Sequence, residues 1–325
     1  MMEKLRGIEK ISEVLKQIPE AKKIFSSLGI ENYDEDKTLV EVAKANKVPL
    51  QILLNNLAKA SGLEVEWPKI SGLKEGYESD FSASTGLRKG RPGGVKKIVA
   101  VHSGKGGVGK TFCAINLALK AAEQGMKVGL LDLDIDCPNI PKQLGLTGRL
   151  HANADKKIEP QVFKGVKVIS MGGILEQENQ PILWRGPILA RAIEQLLHDS
   201  NWGELDLLVV DLPPGTSDAP LTLFNLLKPE GVILVTTPQP SSLTDTAKSL
   251  EMCRSLGINV LGVIENMYGE IFGEPSAEQF FKSSKLSYLG GIELRKAYNQ
   301  DNLAVLSEKG LAKVFEKILK IVSKE

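Results

Sequence analysis

The sequence predicts a doubly wound α/β domain with a mostly parallel sheet, preceded by a small all-α domain. Three observations lead there. From Lys96 onward short apolar runs alternate with helix-length amphipathic stretches, the pattern of strands covered on both faces by crossover helices. The first run, Ile98–Val101, meets a glycine-rich loop, Ser103-Gly104-Lys105-Gly106-Gly107-Val108-Gly109-Lys110-Thr111, which opens a helix over Cys113–Ala122. Residues 1–62, by contrast, show helical periodicity only.

Composition sets the bounds. A chain of 325 residues accommodates one large domain and one small one. Its formal net charge of +1 gives no overall field that would draw nucleic acid or anionic lipid. No apolar run approaches the roughly 20 residues that span a bilayer. Charges return at Glu9 and Lys10, so no signal-peptide core is expected and a cytoplasmic location is the default. Cys113, Cys137 and Cys253 stand apart, which is neither a disulfide framework nor a metal-ligand spacing.

In the N-terminal segment, Ile11, Val14, Leu15 and Ile18 form one apolar stripe. Pro19 can open a second helix through Ile24, Phe25 and Leu28, which Gly29 ends. Thr38 and Glu41 make a capping box before Leu39, Val40, Val42 and Ala43. A last helix follows Pro49 with Leu50, Leu53, Leu54 and Leu57. Read as a helix-turn-helix, this segment would set that last helix in a DNA groove. Its ten Lys/Arg against nine Asp/Glu over residues 1–60 favour a protein-docking module instead. The pieces Glu13-Val14-Leu15, Pro19-Glu20-Ala21, Leu28-Gly29-Ile30, Thr38-Leu39 and Leu53-Leu54 resemble the small helical domain found near hybrid-cluster and iron–sulfur-repair proteins. Many members of that group carry cysteine after the Leu-Gly-Ile piece, where this chain has Glu31-Asn32-Tyr33-Asp34.

Residues 63–95 are rich in Gly and Ser and close on Arg88-Lys89-Gly90-Arg91-Pro92-Gly93-Gly94, which reads as a flexible, solvated linker. The domain from 96 to 325 then offers strands at Ile98–Val101, Val128–Leu133, Val166–Met171, Leu205–Asp211, Val232–Thr236, Val260–Glu265 and Ser287–Leu289. Helical patterns lie between them, among them Leu189–Leu197 and Thr244–Leu256.

The chemistry begins at Gly104–Thr111, which fits the phosphate-loop template. Gly104, Gly106, Gly107 and Gly109 free the backbone, and with Lys105 and Val108 their N–H groups can curl around phosphate oxygens. The following helix aims its N-terminal N–H groups at the same phosphates. Lys110 is expected on the β- and γ-phosphates and the Thr111 hydroxyl on Mg²⁺. Two acidic segments follow at strand ends. In Asp132-Leu133-Asp134-Ile135-Asp136-Cys137-Pro138, carboxylates can hold Mg²⁺ waters and orient an attacking water. Asp211, ending Leu207-Leu208-Val209-Val210, reads as the acid that grips Mg²⁺. Gly215 in Pro213-Pro214-Gly215-Thr216-Ser217-Asp218 can bring an N–H against a γ-phosphate and so distinguish ATP from ADP.

These motifs resemble the Mrp/ApbC family of P-loop ATPases, cytosolic iron–sulfur cluster carriers related to MinD. The resemblance rests on Ser103–Thr111, Asp132-Leu133-Asp134-Ile135 with Pro138 and Pro141, Trp184-Arg185-Gly186-Pro187, Trp202-Gly203-Glu204-Leu205-Asp206, Asp211–Asp218 and Glu265-Asn266-Met267. It implies slow hydrolysis of ATP sandwiched in a homodimer. It also implies that Asp134 positions the water, that Asp132 and Asp211 serve Mg²⁺, and that Asn266 contacts adenine. Lys105 resembles the lysine of deviant Walker A loops, which crosses the dimer interface to a phosphate of the partner subunit. Trp184 and Arg185 have no role on residue chemistry alone. They could be a packing aromatic and a helix-start cation.

Three departures accompany the resemblance. Family members carry Cys-x-x-Cys shortly after Glu-Asn-Met, two thiolates per subunit for a bridging [4Fe–4S] cluster. Here Glu265-Asn266-Met267-Tyr268 runs directly into Ile271-Phe272-Gly273, as though that hairpin were deleted, so no cluster is expected at the usual place. Cys137 stands where the family tends to have Gly and reads as a lone loop thiol. Phe112 replaces a Ser or Thr, and with it a hydroxyl facing the α-phosphate, so weaker nucleotide affinity is expected. The tail from Lys309 carries an amphipathic stripe, Leu311, Val314, Phe315, Ile318, Leu319 and Val322, which suits a helix packed on the sheet as well as one lying on a membrane. Two other functional classes stay open. One is an interaction protein that binds ATP without carrying a cluster, and the other is a ParA-like partition factor with salt-sensitive DNA binding.

Overall fold

The computed structural model describes residues 4–5, 9–46, 48, 50–65, 87–134, 137–147, 149–174, 187–216, 218–299 and 304–324. The chain divides into two compact units, Met1–Lys69 with Glu75–Asp80, and Ile70–Lys74 with Phe81–Glu325.

In the first unit β1 (Lys4–Leu5) leads to α1 (Ile11–Gln17), α2 (Ala21–Ser27), α3 (Leu39–Ala45), α4 (Leu50–Ser61) and β2 (Glu64–Val65). Ile11, Val14, Phe25, Leu39, Leu53, Leu54 and Leu57 are buried together, so the apolar stripes read from the sequence meet in one core. The Thr38–Glu41 capping box forms as expected. Glu41 accepts the Thr38 N–H at 2.9 Å and the Thr38 hydroxyl takes the Glu41 N–H at 3.3 Å. Gly29, at φ +75°, ends α2. Helical periodicity could not show that β1 and β2 pair in parallel, Lys4 with Glu64 and Leu5 with Val65, because two-residue strands have no period of their own. Tyr33 packs its ring edge-on to Phe25 with centroids 5.1 Å apart.

The second unit runs β3 (Ile98–Ser103), α5 (Lys110–Glu123), β4 (Val128–Asp132), α6 (Ile140–Gln143), β5 (His151–Ala152), β6 (Ile158–Glu159), β7 (Gln161–Phe163), β8 (Val166–Ser170), α7 (Pro187–His198), β9 (Leu207–Asp211), α8 (Asp218–Leu227), β10 (Gly231–Thr236), α9 (Pro240–Ser255), β11 (Val260–Tyr268), α10 (Ala277–Phe281), β12 (Tyr288–Glu293), α11 (Ala304–Ser307) and α12 (Lys309–Lys324). Eight strands form one sheet in the order β12-β11-β10-β3-β9-β4-β8-β7. All neighbours are parallel except β7 and β8. The sequence reading lacked β7, whose three residues carry too little alternation to register.

Residues alternate along each strand between two cores. Ile98 and Ala100 of β3 face the layer of α7, α8 and α9, with Ile193, Phe224 and Leu250. Val99 and Val101 face α5 and α12, with Ala114, Ala118, Phe315 and Ile318. The apolar stripe of α12 is therefore spent on the sheet. Its Glu316 pairs with Lys120 of α5 at 2.9 Å. No helix among the described residues is long and apolar enough to cross a membrane.

One boundary differs from the reading of residues 63–95 as a free tether. The basic stretch at its end is docked on this unit. Arg88 donates to Glu194 and to Asp199 at 2.9 Å each, the Gly90 N–H donates to the Leu226 carbonyl at 2.7 Å, and Arg91 pairs with Glu230 at 3.1 Å. Glu194 and Asp199 are carboxylates on or just after α7 that accept these cations. The sequence could not reveal them because they lie more than a hundred residues away.

Candidate nucleotide site

β3 sits where the strand order reverses. The chain goes from it to β4 on one side, while β10 to β12 fill the other, and its carboxyl end opens on the crevice where such sheets take ligands. The loop over Gly104–Thr111 occupies that end. Gly107 and Gly109 lie at φ +80° and +82°, a region that disfavours side chains. Gly109 caps α5, and no side chain caps the helix, so its leading N–H groups are open to an anion. Gly104 is needed for a different reason. A Cβ there would fall 2.2 Å from the Asp245 carbonyl carbon of α9.

Lys110, Thr111, Asp134 and Asp211 converge. Lys110 Nζ lies 2.7 Å from Asp211 Oδ1 and 3.3 Å from Asp134 Oδ2, and the Thr111 hydroxyl donates to Asp211 Oδ2 at 2.7 Å. Burial opposes the Lys110 charge, but Asp211 and then Asp134 outweigh it and hold the ammonium above its ordinary value. For Asp211 burial pushes the carboxyl up, and Lys110 and Thr111 pull it back. Two strong donors at 2.7 Å decide for the ionised pair. Asp211 and Thr111 thus present a carboxylate and a hydroxyl side by side, the hard oxygen donors Mg²⁺ prefers alongside phosphate oxygens and water.

Three expected groups are placed otherwise. Asp132, read as a second acid for Mg²⁺, is fully buried with both oxygens engaged. Oδ1 accepts the Asp134 N–H at 3.1 Å, and Oδ2 accepts the Ile140 N–H at 3.1 Å and the Ser170 hydroxyl at 3.0 Å. It ties the Asp134 segment to α6 and β8 rather than facing the crevice. Burial first, then the Asp211 charge, push its carboxyl up to about 7. Gly215 spends its N–H on the Ser103 carbonyl at 2.8 Å, so that amide reaches a phosphate only if the loop after β9 moves. Lys105 lies against its own chain, 3.3 Å from both Gln239 Oε1 and the Ser241 hydroxyl at the start of α9. Trp184, Arg185, Ile135, Asp136 and Ser217 lie outside the described residues.

The crevice encloses about 630 Å³. Gly106, Gly107, Gly109, Lys110 and Thr111 line one part, with Asp134 and Cys137. Asn266, Met267, Glu293, Leu294, Tyr298 and Phe112 line another. Asn266 Nδ2 donates to the Val108 carbonyl at 2.9 Å and packs where a Cβ on Gly109 would sit, 2.1 Å away. Met267 holds a positive φ of 63° beside it. Sequence reasoning named Asn266 but missed Glu293, Leu294 and Tyr298, which belong to no motif and arrive through β12 and the turn after it.

A family model described as ParA, NUBPL iron-transfer P-loop NTPase, matches residues 94–323. This chain belongs to that family. The iron–sulfur cluster carrier protein of Synechocystis is 41% identical over 240 residues, 68% of this chain and 68% of its own length. The iron–sulfur cluster transfer protein NUBPL of Mus musculus is 38% identical over 244 residues, 70% of this chain and 76% of its own. Among solved structures, a nucleotide-binding protein of Archaeoglobus fulgidus in complex with ADP is 34% identical at a TM-score of 0.54, covering 67% of this chain and 88% of its own. The Pyrococcus horikoshii septum site-determining protein MinD complexed with Mg-ADP is 28% identical at a TM-score of 0.56, covering 70% of this chain and 96% of its own. The mostly parallel fold and the phosphate loop of this P-loop NTPase accord with those relatives.

The residues present do not fit a thiolate-held cluster at the family's usual place. After β11 the chain turns back at once, Gly269 and Gly273 exchanging N–H donors at 2.9 and 2.7 Å, and the turn contains no cysteine. Cys113 and Cys253 are buried in α5 and α9, and Cys137 is exposed after β4. Among the described residues no three His, Cys, Asp or Glu side chains are grouped to hold a metal ion.

Proposed function

We propose that this protein is an ATP-binding, slowly ATP-hydrolysing homodimeric switch of the Mrp type, acting in the cytoplasm on iron–sulfur cluster assembly or transfer. The observation that carries the reading is the convergence of Lys110, Thr111, Asp134 and Asp211 beneath an uncapped helix N-terminus at the sheet's switch point. In this reading the N–H groups of Gly104–Thr111 cradle the phosphates, and Lys110 leaves Asp211 for the β- and γ-oxygens. Thr111 and Asp211 would hold Mg²⁺, which would neutralise charge on the phosphates. Asp134, freed of Lys110, orients the attacking water, and Asp132 keeps the Asp134 backbone in place. Lys105 leaves Gln239 and Ser241 to reach the partner subunit's nucleotide. Gly215 exchanges Ser103 for the γ-phosphate, and Asn266 offers its amide to adenine.

The division of labour is part of the proposal. Residues 1–62 dock a protein partner, residues 63–95 link, and 96–325 form the ATPase. The kinship with iron–sulfur cluster carrier and transfer proteins supports iron–sulfur cluster transfer as the process. The cysteine-free turn after β11 favours one alternative, a nucleotide-dependent scaffold or interaction protein that carries no cluster itself. Balanced charge argues against nucleic acid as the partner.

ATP turnover of wild type beside Asp134→Asn tests the enzyme reading. A fall of about 10²-fold or more is expected for the loss of a water-orienting base. Equal rates would leave a nucleotide-binding protein that is not an ATPase. Iron and sulfide analysis after anaerobic purification decides between carrier and scaffold, with about four irons per dimer marking a carrier.

A further inference from the structure

The crevice has two chemistries. One part is amide, ammonium and carboxylate, and the other is walled by two aromatic rings. Phe112, the second residue after Lys110, stacks on Tyr298 with ring centroids 5.5 Å apart and planes 28° from parallel, and both rings line the crevice. Neither ring is fully buried. A nucleotide whose phosphates sit on Gly106–Thr111 has its ribose and base left for the rest of the crevice, and the base is the part with a face to stack on these rings.

We propose that the Phe112–Tyr298 pair is a stacking platform for the nucleotide base, so that this site takes an aromatic nucleoside triphosphate rather than polyphosphate alone. The inference rests on the nucleotide-binding reading above and deepens it. Phe112 is then more than the loss of a hydroxyl. The stacking contact would offset the missing α-phosphate contact.

The Tyr298 ring is held at its hydroxyl, and the backbone that carries Phe112 is tied down as well. The Tyr298 hydroxyl donates to Glu308 Oε2 at 2.7 Å, and Arg295 donates to the same oxygen at 3.0 Å. Arg295 Nε also donates to Glu293 at 2.8 Å, at the end of β12. On the other side, the fully buried Asn116 donates to the Phe112 carbonyl at 2.8 Å, and its Oδ1 accepts the Val305 N–H of α11 at 3.1 Å. Asn116 thereby joins the helix that carries Phe112 to the segment that carries Glu308. Ion pairs of this kind orient a ring without covering its face. Glu308 and Arg295 are positioning residues, and of these four side chains Phe112 and Tyr298 are the ones that touch the base.

The test compares binding of Mg-ATP and of Mg-tripolyphosphate to the full chain by calorimetry. Tyr298→Leu keeps apolar bulk but removes the π face. It is expected to weaken ATP by about 5- to 150-fold, the range for one base–aromatic stack, and to leave tripolyphosphate within about twofold. Tyr298→Phe keeps the ring and is expected to stay within about threefold of wild type for ATP. Phe112→Thr, which restores a hydroxyl, is expected to weaken ATP as well. Equal losses for both ligands in Tyr298→Leu, no loss for either, or tighter ATP binding by Phe112→Thr would each overturn the platform. A wild-type chain that binds tripolyphosphate and ATP equally would overturn the platform but not the phosphate loop. One that binds neither would overturn both.

Discussion

Replacing Asp211 by Asn tests the centre of the site most directly. Asp211 is wholly buried, with Lys110 Nζ at 2.7 Å from one oxygen and the Thr111 hydroxyl at 2.7 Å from the other. Unit charges at that separation attract by about 6 kcal/mol at an effective dielectric constant near 20, before the cost of dehydrating both is subtracted. Asparagine keeps one acceptor and loses the charge. Its amide N–H₂ must then face Lys110 or Thr111, and only the hydroxyl can rotate to accept. Breaking one side of a buried pair costs about 3–5 kcal/mol. Asp134, 3.3 Å from the ammonium, remains as a counter-ion, so the lower end, about 3 kcal/mol, is expected. For a domain of this size that lowers Tm by about 10 °C. Urea unfolding followed at Trp202, which is 1% exposed, gives the number. Lys110→Met and the double variant complete the cycle, with a coupling of at least about 1 kcal/mol expected. Purely additive losses, or an Asn variant within about 0.5 kcal/mol of wild type, would refute the ion-pair account.

Further outcomes follow from other parts of the structure. His102 is buried against Phe224, and burial, then Lys110, lower its pKa to about 4. The unfolded chain takes up that proton below about 6.5 while the folded one does not, so stability falls by up to about 3 kcal/mol as pH drops from 6.5 towards 4. His102→Leu should flatten this acid limb in urea midpoints measured at pH 7 and 4.5, and an unchanged slope would count against it. Asp132 acts in the opposite sense. Its folded value near 7 means that it binds a proton the unfolded chain has lost, a contribution that disappears as pH rises through 7. Gly104→Ala should destabilise by about 1–3 kcal/mol through a backbone clash with Asp245 that no rotamer relieves. Gly107→Ala, which meets open space, should cost only the ~1–2 kcal/mol of its positive φ. Similar denaturation midpoints with clearly different nucleotide affinities would contradict that ranking. Arg88→Ala should speed amide exchange at Gly90 about tenfold, a loss of roughly 1.4 kcal/mol of local protection, with nucleotide affinity unchanged.

Local rules made some features legible in the chain itself. A loop that needs positive φ at Gly107 and Gly109 must use glycine, a buried parallel strand must be apolar on both faces, and an acid closing such a strand stands at the end of the sheet that takes ligands. The alternating α/β order, the phosphate loop, Lys110, Thr111 and Asp211 follow from such rules. So does the capping box at Thr38 and Glu41.

Contacts between distant residues were decided only in three dimensions. Asp132 closes β4 and Asp134 follows two residues later, yet one holds Ser170 and the start of α6 while the other lines the crevice. No pattern two residues long distinguishes them. Arg88 looks like linker charge until Glu194 comes within 2.9 Å, and Tyr298 looks like a surface tyrosine until the turn after β12 brings it onto Phe112. The physical reason is that backbone conformation is set largely by neighbours in the chain. Which oxygen faces a ligand, and which is consumed by a donor, depends on groups that only the closed sheet brings together.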